Sequence, residues 1–201
     1  MKVTVVDATQ NPIDIISIAA GSSTRRENVK FSRVKKCIED KHSVHEFADV
    51  TFKIEGISRA CLAQLTRHRI ATYCVESQRY NKYDLTSDDW YVIPPVIEND
   101  APRLAAFQDA MSSAAGVYRE MLDDGVKAED ARFVLPEATK TNLHMKINAR
   151  SLWNFLNQRR APHAQWEIHE LADKMIEALD SYNEQWHQMM DIYRGTEELV
   201  N

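Results

Sequence analysis

Residues 139–152 read Thr139-Lys140-Thr141-Asn142-Leu143-His144-Met145-Lys146-Ile147-Asn148-Ala149-Arg150-Ser151-Leu152. Thr139, Thr141, Leu143, Met145 and Ile147 alternate with polar residues, the period of a half-buried strand. After Asn148 the period changes. Leu152, Phe155 and Leu156 make the apolar stripe of a helix, and Asn148 stands where an N-cap side chain belongs. The same change occurs upstream. Val50, Phe52 and Ile54 alternate with Thr51 and Lys53 up to a break near Gly56. Ser58 can then cap a helix holding Ala60, Leu62, Ala63 and Leu65, which delivers Gln64, Arg67, His68 and Arg69 near its C-terminal end.

Outward from these two segments, Val3 and Val5 share one face of a short opening strand over Lys2 to Asp7. Pro12 introduces an apolar helix over Ile13 to Ala20, and Gly21 to Thr24 mark a turn. The rest of the first forty residues has no clear period and no role. Residues 82–100, with Pro94 and Pro95, read as an irregular loop. Arg103 to Leu122 form a long helix that Gly125 ends, and a shorter one from Ala128 stops before Pro136. Two further helices cover about Ala164 to Leu179 and Ser181 to Tyr193. No repeat or linker interrupts the chain, so residues 1–201 are expected to form one α+β domain.

Composition bounds the function classes. The 201 residues hold 25 Lys+Arg against 30 Asp+Glu, a formal charge of -5, with 44% hydrophobic and 27% charged residues. These fractions are those of a globular chain. The acidic balance argues against a nucleic acid polymer or an anionic membrane as partner, because either needs a basic excess. No apolar run reaches the ~18 residues of a membrane span or marks a signal peptide, so the cytoplasm is the expected compartment. Cys37, Cys61 and Cys74 are an odd number without metal-ligand spacing, and no HExxH, CxxC or glycine-rich phosphate loop is present. No metal site is expected.

Two clusters stand out. Gln64 to Tyr80 contains Arg67, His68, Arg69, Ser77, Gln78 and Arg79. Guanidinium forks bind phosphate bidentately, and hydroxyl and amide groups complete such a shell. The alternative is a solvated charged turn. Asn148 to Glu167 contains Asn148, Ser151 and Asn154 at i+3 spacing, a polar face whose amides suit a heteroaromatic ring edge. The alternative there is an ordinary amphipathic helix. Glu129 and Arg132, at i, i+3, read as a surface helix pair. Ser77 near His68 lacks the third, orienting group of a nucleophile and its base.

Arg67-His68-Arg69-Ile70-Ala71-Thr72-Tyr73, continuing to Ser77-Gln78-Arg79-Tyr80, resembles the signature of flavin-dependent thymidylate synthases: Arg-His-Arg, seven residues, then Ser-x-Arg. The later block resembles the same family in Asn148-Ala149-Arg150-Ser151-Leu152, Asn154-Phe155-Leu156, Arg159 and His163-Ala164-Gln165-Trp166-Glu167. The resemblance spans roughly Ser43 to Ala172. It departs at Phe47, where the family has a histidine for which His45 is the nearest substitute, and at Gln158, where the family has Leu. Cys74 and Val75 also replace a pair that is often polar.

The resemblance implies a small, mostly antiparallel sheet with several packed helices, and a homotetramer holding FAD at sites formed between subunits. Arg67, His68, Arg69, Ile70, Asn148, Arg150, Asn154 and His163 would bind the flavin. Gln64, Ser77, Gln78, Arg79, Glu129, Arg132, Gln158 and Arg159 would bind the nucleotide, with Ser77 and Arg79 near its phosphate. Ser77 and Arg159 would act in catalysis, Arg159 at the pyrimidine. The implied reaction is reductive methylation of dUMP to dTMP, with methylenetetrahydrofolate as carbon donor and NADPH as reductant of FAD. No enzyme thiol is needed, so Cys74 is not expected to be catalytic. Alternatives on the same scaffold are methylation or hydroxymethylation of another pyrimidine nucleotide, or flavin and nucleotide binding without turnover.

Overall fold

The structure is a computed structural model and describes residues 1–83 and 85–197. Four strands, β1 (Lys2–Ala8), β2 (Asp49–Ser58), β3 (Thr72–Val75) and β4 (Lys140–Asn148), form one antiparallel sheet in the order β1-β2-β4-β3. Around it run α1 (Pro12–Ser22), α2 (Phe31–Glu39), α3 (Arg59–Leu65), α4 (Pro95–Glu98), α5 (Ala101–Asp123), α6 (Ala128–Ala131), α7 (Ala149–Arg159), α8 (Trp166–Asp180) and α9 (Glu184–Glu197). The expected α+β class, with a small antiparallel sheet and several helices, is what forms.

The central strands follow their sequence period. Val50, Phe52 and Ile54 on β2 are fully buried, as are Leu143, Met145 and Ile147 on β4 to within 2%, while Asn142, His144 and Lys146 between them face outward. The break expected near Gly56 does not occur. β2 runs on to Ser58, because Gly56 adopts a φ of 73°, which a residue without Cβ tolerates, and its N–H donates to Asn142 Oδ1 at 3.0 Å. β1 pairs antiparallel with β2, and the register slips between Val5 and Asp7.

Compact packing divides the chain into two units. The first holds Met1–Glu55, Leu65–Cys74 and the described residues from Leu143 onward. Its core is built on α8, whose Ile168, Leu171, Ala172, Met175 and Leu179 are buried among β1, α7 and α9. Trp186 of α9 is fully buried, and its indole N–H donates to the Thr9 carbonyl at 2.9 Å. The Tyr193 hydroxyl donates to the Ala149 carbonyl at 2.8 Å and so holds the start of α7. The first forty residues contain α2, for which the sequence offered no clear period. Its Val34, Cys37 and Ile38 are buried against α1 and α9.

The second unit holds Gly56–Gln64 and, among the described residues, Val75–Asn142. Met111, Ala115 and Tyr118 of α5 pack with Leu85, Trp90, Tyr91 and Ala131. The Asp100 carboxylate accepts the Arg103 N–H at 3.1 Å to open α5, and Gly125 at φ 85° follows its end. Residues 82–100, expected to be irregular, contain α4, a short 3-10 turn at Asp88–Trp90 and a bridge between Tyr91 and Thr139. Trp90 and Tyr91 meet edge to face at 5.1 Å, so aromatic burial fixes a segment whose sequence lacks a period. No helix among the described residues is long and apolar enough to cross a membrane.

Candidate functional site

In the second unit, Ser58 does cap α3: its Oγ accepts the Cys61 N–H at 2.9 Å. Gln64 lies half-buried near the end of that helix. Ser77, Gln78 and Arg79 follow β3. The Ser77 hydroxyl accepts the Arg79 N–H at 3.2 Å and its carbonyl accepts from Asn81 N at 3.1 Å, which closes a tight turn. The turn sends the side chains of Gln78 and Arg79 to different places: Gln78 is buried and Arg79 is exposed.

Arg79 Nε donates to the Glu129 carboxylate at 2.6 Å. The helix pair expected between Glu129 and Arg132 is therefore not the one that forms. Glu129 gives its carboxylate to Arg79, fifty residues away, while Arg132 Nε donates to the Glu129 main-chain carbonyl at 3.0 Å. That bond ties Arg132 back over its own turn, and Arg132 lines a cavity of about 340 Å³. Arg59, Gln78, Arg132, Phe133 and Glu137 line it, with Leu135 and Pro136 as apolar floor. The structure thus brings together Gln78 and Arg132, places the Arg79–Glu129 pair on the same segments, and leaves Gln64 and Ser77 off the cavity wall. Arg59 was not a candidate. Its position directly after a capping serine, at the mouth of α3, was the available signal.

Two cations against the single carboxylate of Glu137, with a buried amide and an aromatic ring around a recess of this size, suit an anionic, planar ligand. Guanidinium groups supply charge and paired donors, and a primary amide can both donate and accept at a ring edge.

In the first unit, Arg67, His68, Arg69 and Ile70 form the turn after α3. The Tyr73 hydroxyl lies 2.7 Å from the His68 carbonyl and 3.0 Å from that of Leu65, and His68 N donates to Leu65 O at 3.0 Å, so the turn is fixed from within. His68 sits edge-on to Phe155 of α7, ring centres 5.6 Å apart. Burial and then the Arg159 charge hold its pKa below the ordinary histidine value, against an opposing contribution from the Ser151 backbone. Burial likewise pushes Tyr73 up to about 12, with Arg159 pulling the other way. Arg159 therefore lies within electrostatic reach of both residues, which joins the end of α7 to the Arg67–Ile70 turn. Gln158, its neighbour, is exposed.

The polar face expected from Asn148, Ser151 and Asn154 is largely used internally. Asn148 Oδ1 accepts the Ser151 N–H at 2.8 Å as the cap of α7, and Ser151 itself is buried. Asn154 Oδ1 accepts from Arg150 Nη1 at 2.8 Å, while Arg150 Nε donates to the Lys41 carbonyl at 3.0 Å. His163 lies exposed in the turn between α7 and α8.

His45 does not replace the histidine missing at position 47. It is fully buried, neither ring nitrogen has a hydrogen-bond partner, and burial, Arg150 and His42 together push it down to about 4. A neutral imidazole sealed in the core has no face to offer a ligand, whereas Phe47 is 67% exposed. Among the described residues no group of three His, Cys, Asp or Glu side chains is placed to hold a metal ion.

The arrangement can be tested against a flavin. His68 Nε2 is buried without a partner, Ile70 is 65% exposed beside it in sequence, and Arg67 and Arg69 are exposed cations. An unsatisfied ring nitrogen costs free energy until a partner arrives. An apolar ring system carrying phosphates supplies partners to all three kinds of group, so these residues fit FAD.

Comparison with known proteins gives the same direction. The sequence model of the family described as thymidylate synthase complementing protein matches residues 4–182. A flavin-dependent thymidylate synthase of Geobacter sulfurreducens is 40% identical over 190 residues, 88% of this chain and 81% of that one. Its counterpart from Pyrococcus furiosus is 38% identical over 192 residues, 89% of this chain and 79% of that one. In structure, the flavin-dependent thymidylate synthase of Helicobacter pylori, complexed with FAD and dUMP, aligns with a TM-score of 0.77 at 26% identity, over 98% of this chain and 99% of that one. A UMP/dUMP methylase of Streptomyces cacaoi shares the fold, with a TM-score of 0.80 at 22% identity over 98% and 94% of the two chains. By sequence and by fold, this chain belongs to the flavin-dependent thymidylate synthase family.

Proposed function

We propose that this protein is an FAD-dependent methyltransferase that converts dUMP to dTMP, taking the carbon from methylenetetrahydrofolate and reducing equivalents from NADPH. The observation that carries the reading is the cavity of Arg59, Gln78 and Arg132 beside the Arg79–Glu129 pair, in a chain of this family. On this reading Gln64, Ser77, Gln78, Arg79, Glu129 and Arg132 hold the nucleotide, with Ser77 and Arg79 at its phosphate, and Gln158 and Arg159 act at the base. Arg67, His68, Arg69, Ile70, Asn148, Arg150, Asn154 and His163 hold the flavin.

When bound, FAD supplies the hydride that spares the protein a catalytic thiol. The protein's own residues do the rest by placement and charge. Arg159 faces the pyrimidine and stabilises negative charge on the ring as C5 attacks the carbon donor. Ser77 donates its hydroxyl proton in a hydrogen bond to the phosphate, and Arg79 adds a fork of N–H donors there, which fixes the nucleotide relative to the carbon donor. His68, kept neutral at physiological pH by burial and Arg159, meets the flavin as an uncharged hydrogen-bonding group. Residues 1–201 act as one catalytic domain in a cytoplasmic homotetramer, for which the exposed apolar side chains of both units, among them Ile18, Val96 and Phe133, are the raw material.

Purified protein given FAD, NADPH and methylenetetrahydrofolate with dUMP, UMP or dCMP in turn tests the reading by mass spectrometry of the nucleotide. A gain of one methyl on dUMP is expected. A methyl or hydroxymethyl gain on UMP or dCMP alone, or an FAD-loaded protein that leaves all three unchanged, overturns it.

A further inference from the structure

α7 ends on two adjacent arginines, Arg159 and Arg160, and they go to different partners. Arg160 is the C-cap of the helix, its N–H donating to the Leu156 carbonyl at 2.9 Å. Consecutive side chains on a helix leave the axis about 100° apart, so the two guanidinium groups face different sides. Asp173, on α8, decides which sides these are. Its Oδ1 accepts from Arg160 Nε at 2.6 Å, while its Oδ2 lies 3.6 Å from Nε2 of His169, one turn earlier on the same helix. With Arg160 drawn to α8, the charge of Arg159 falls on the other side, where it acts on both His68 and Tyr73.

Asp173 stands on a fixed base, and all of these residues lie in the first unit. Ile168, Leu171, Ala172 and Met175 on either side of it along α8 are buried. Gln165 caps that helix, its Oε1 accepting the N–H of Glu167 at 3.0 Å and of Ile168 at 3.2 Å. The turn between α7 and α8 is closed by Ala164 N, which donates to the Ala161 carbonyl at 2.9 Å. The ion pair itself is open, with the Asp173 side chain 41% exposed and that of Arg160 25%. Such a pair adds little stability, because water screens it and the carbonyl end of a helix already favours a cation. What it fixes is direction. Arg160 is held by its main chain to Leu156 and by its side chain to Asp173, which sets the rotation of the last turn and so of Arg159.

We propose that Asp173 is a positioning residue: by holding Arg160 against α8, it orients Arg159 toward His68. That Arg159 then acts at a pyrimidine rests on the reading of the preceding section; its orientation does not.

Asp173→Asn keeps the size of the side chain and removes the charge that holds Arg160. NMR titration of the full chain with labelled histidine reads the place of Arg159 without substrate or turnover, because burial and then the Arg159 charge hold the His68 ring below its ordinary value. In Asp173→Asn the His68 midpoint is expected to rise by about half a pH unit as the guanidinium leaves. Loss of the carboxylate by itself would move the midpoint the other way, since an anion favours the charged ring. Arg160→Gln should reproduce the rise, the double variant should add nothing to it, and Asp173→Glu should restore the wild-type midpoint. With dUMP as substrate, kcat of Asp173→Asn should fall at least tenfold while the thermal midpoint stays nearly unchanged. An unmoved His68 midpoint in Asp173→Asn, a rise that Arg160→Gln does not share, or a wild-type kcat beside a shifted midpoint overturns the proposal. The shared rise in a protein whose wild type leaves dUMP unmethylated supports the orienting role and overturns the reading of the preceding section alone.

Discussion

Arg79 is held to Glu129 at 2.6 Å, yet its side chain remains 58% exposed. A pair so open contributes little to folding, because water screens it and holding two long side chains costs entropy. Its consequence is orientation: Glu129 keeps the guanidinium of Arg79 in place before any nucleotide arrives. Arg79→Ala should therefore leave the thermal midpoint nearly unchanged and raise KM for dUMP roughly tenfold, as losing one charge-assisted contact does. Steady-state kinetics decide, and an unaltered KM removes Arg79 from the phosphate. Cys74, exposed on β3, takes no part in the proposed chemistry. Cys74→Ala is expected to retain activity, and its complete loss with bound FAD intact would contradict a thiol-free reaction.

His45 makes a prediction about stability. Its folded pKa, about 4, lies below its ordinary value of 6.5, so between these values the unfolded chain binds a proton that the folded one refuses. Folding stability is then complete above pH 6.5, falls as pH drops through that window, and levels off below 4. The loss is on the order of 3 kcal/mol for a shift of this size. Urea unfolding of wild type from pH 7 to pH 4 should show the decline, and His45→Leu, which fills the site with an apolar side chain, should flatten it. Identical pH slopes for both proteins would assign the acid sensitivity elsewhere. The sequence leaves His45 open between a structural and a surface histidine, and packing against α1 and α7 decides for the first.

At the scale of elements, strong local chemistry was legible and tertiary compensation was not. β4 and α7 were readable because alternation, then a capping Asn148, then an apolar stripe all agree. α2 was not, because nine mostly charged residues owe their helix to three buried side chains meeting α1 and α9. The continuation of β2 past Gly56 also escaped, since its stabilising acceptor, Asn142, lies 86 residues away. The glycines of two helices give opposed tests of how local such rules are. Gly116, inside α5, has nothing within 4 Å of where a Cβ would stand, so Gly116→Ala should stabilise by about 0.5–1 kcal/mol. Gly21, on α1, meets backbone at 2.6 Å, so Gly21→Ala must displace the Arg26 turn and should lower the melting temperature. Should both variants melt together, the close approach at Gly21 would not matter to the fold.

At the scale of the molecule, the candidate residues separate by unit. Those proposed for the flavin all fall in the first, and those for the nucleotide fall in the second, except Gln158 and Arg159 at the end of α7. The sequence showed two clusters but not this division, because the segments of each unit are discontinuous along the chain. It also showed too little of the surface: α1 was read as simply apolar, yet Ile15 and Ile18, three apart, are exposed by 37% and 52% while Ile13 and Ile16 are buried. An apolar stripe on the outer side of a helix whose inner side is already packed is stable in water only at a cost, which burial in an assembly removes. Light scattering after size exclusion should give four times the 23.1 kDa chain mass for wild type. Ile15→Glu with Ile18→Glu should lower that mass while circular dichroism stays native, because both residues lie on the exposed side of α1. A wild type of 23.1 kDa would dispose of the tetramer, and an intact tetramer in the double variant would place the subunit contact away from α1.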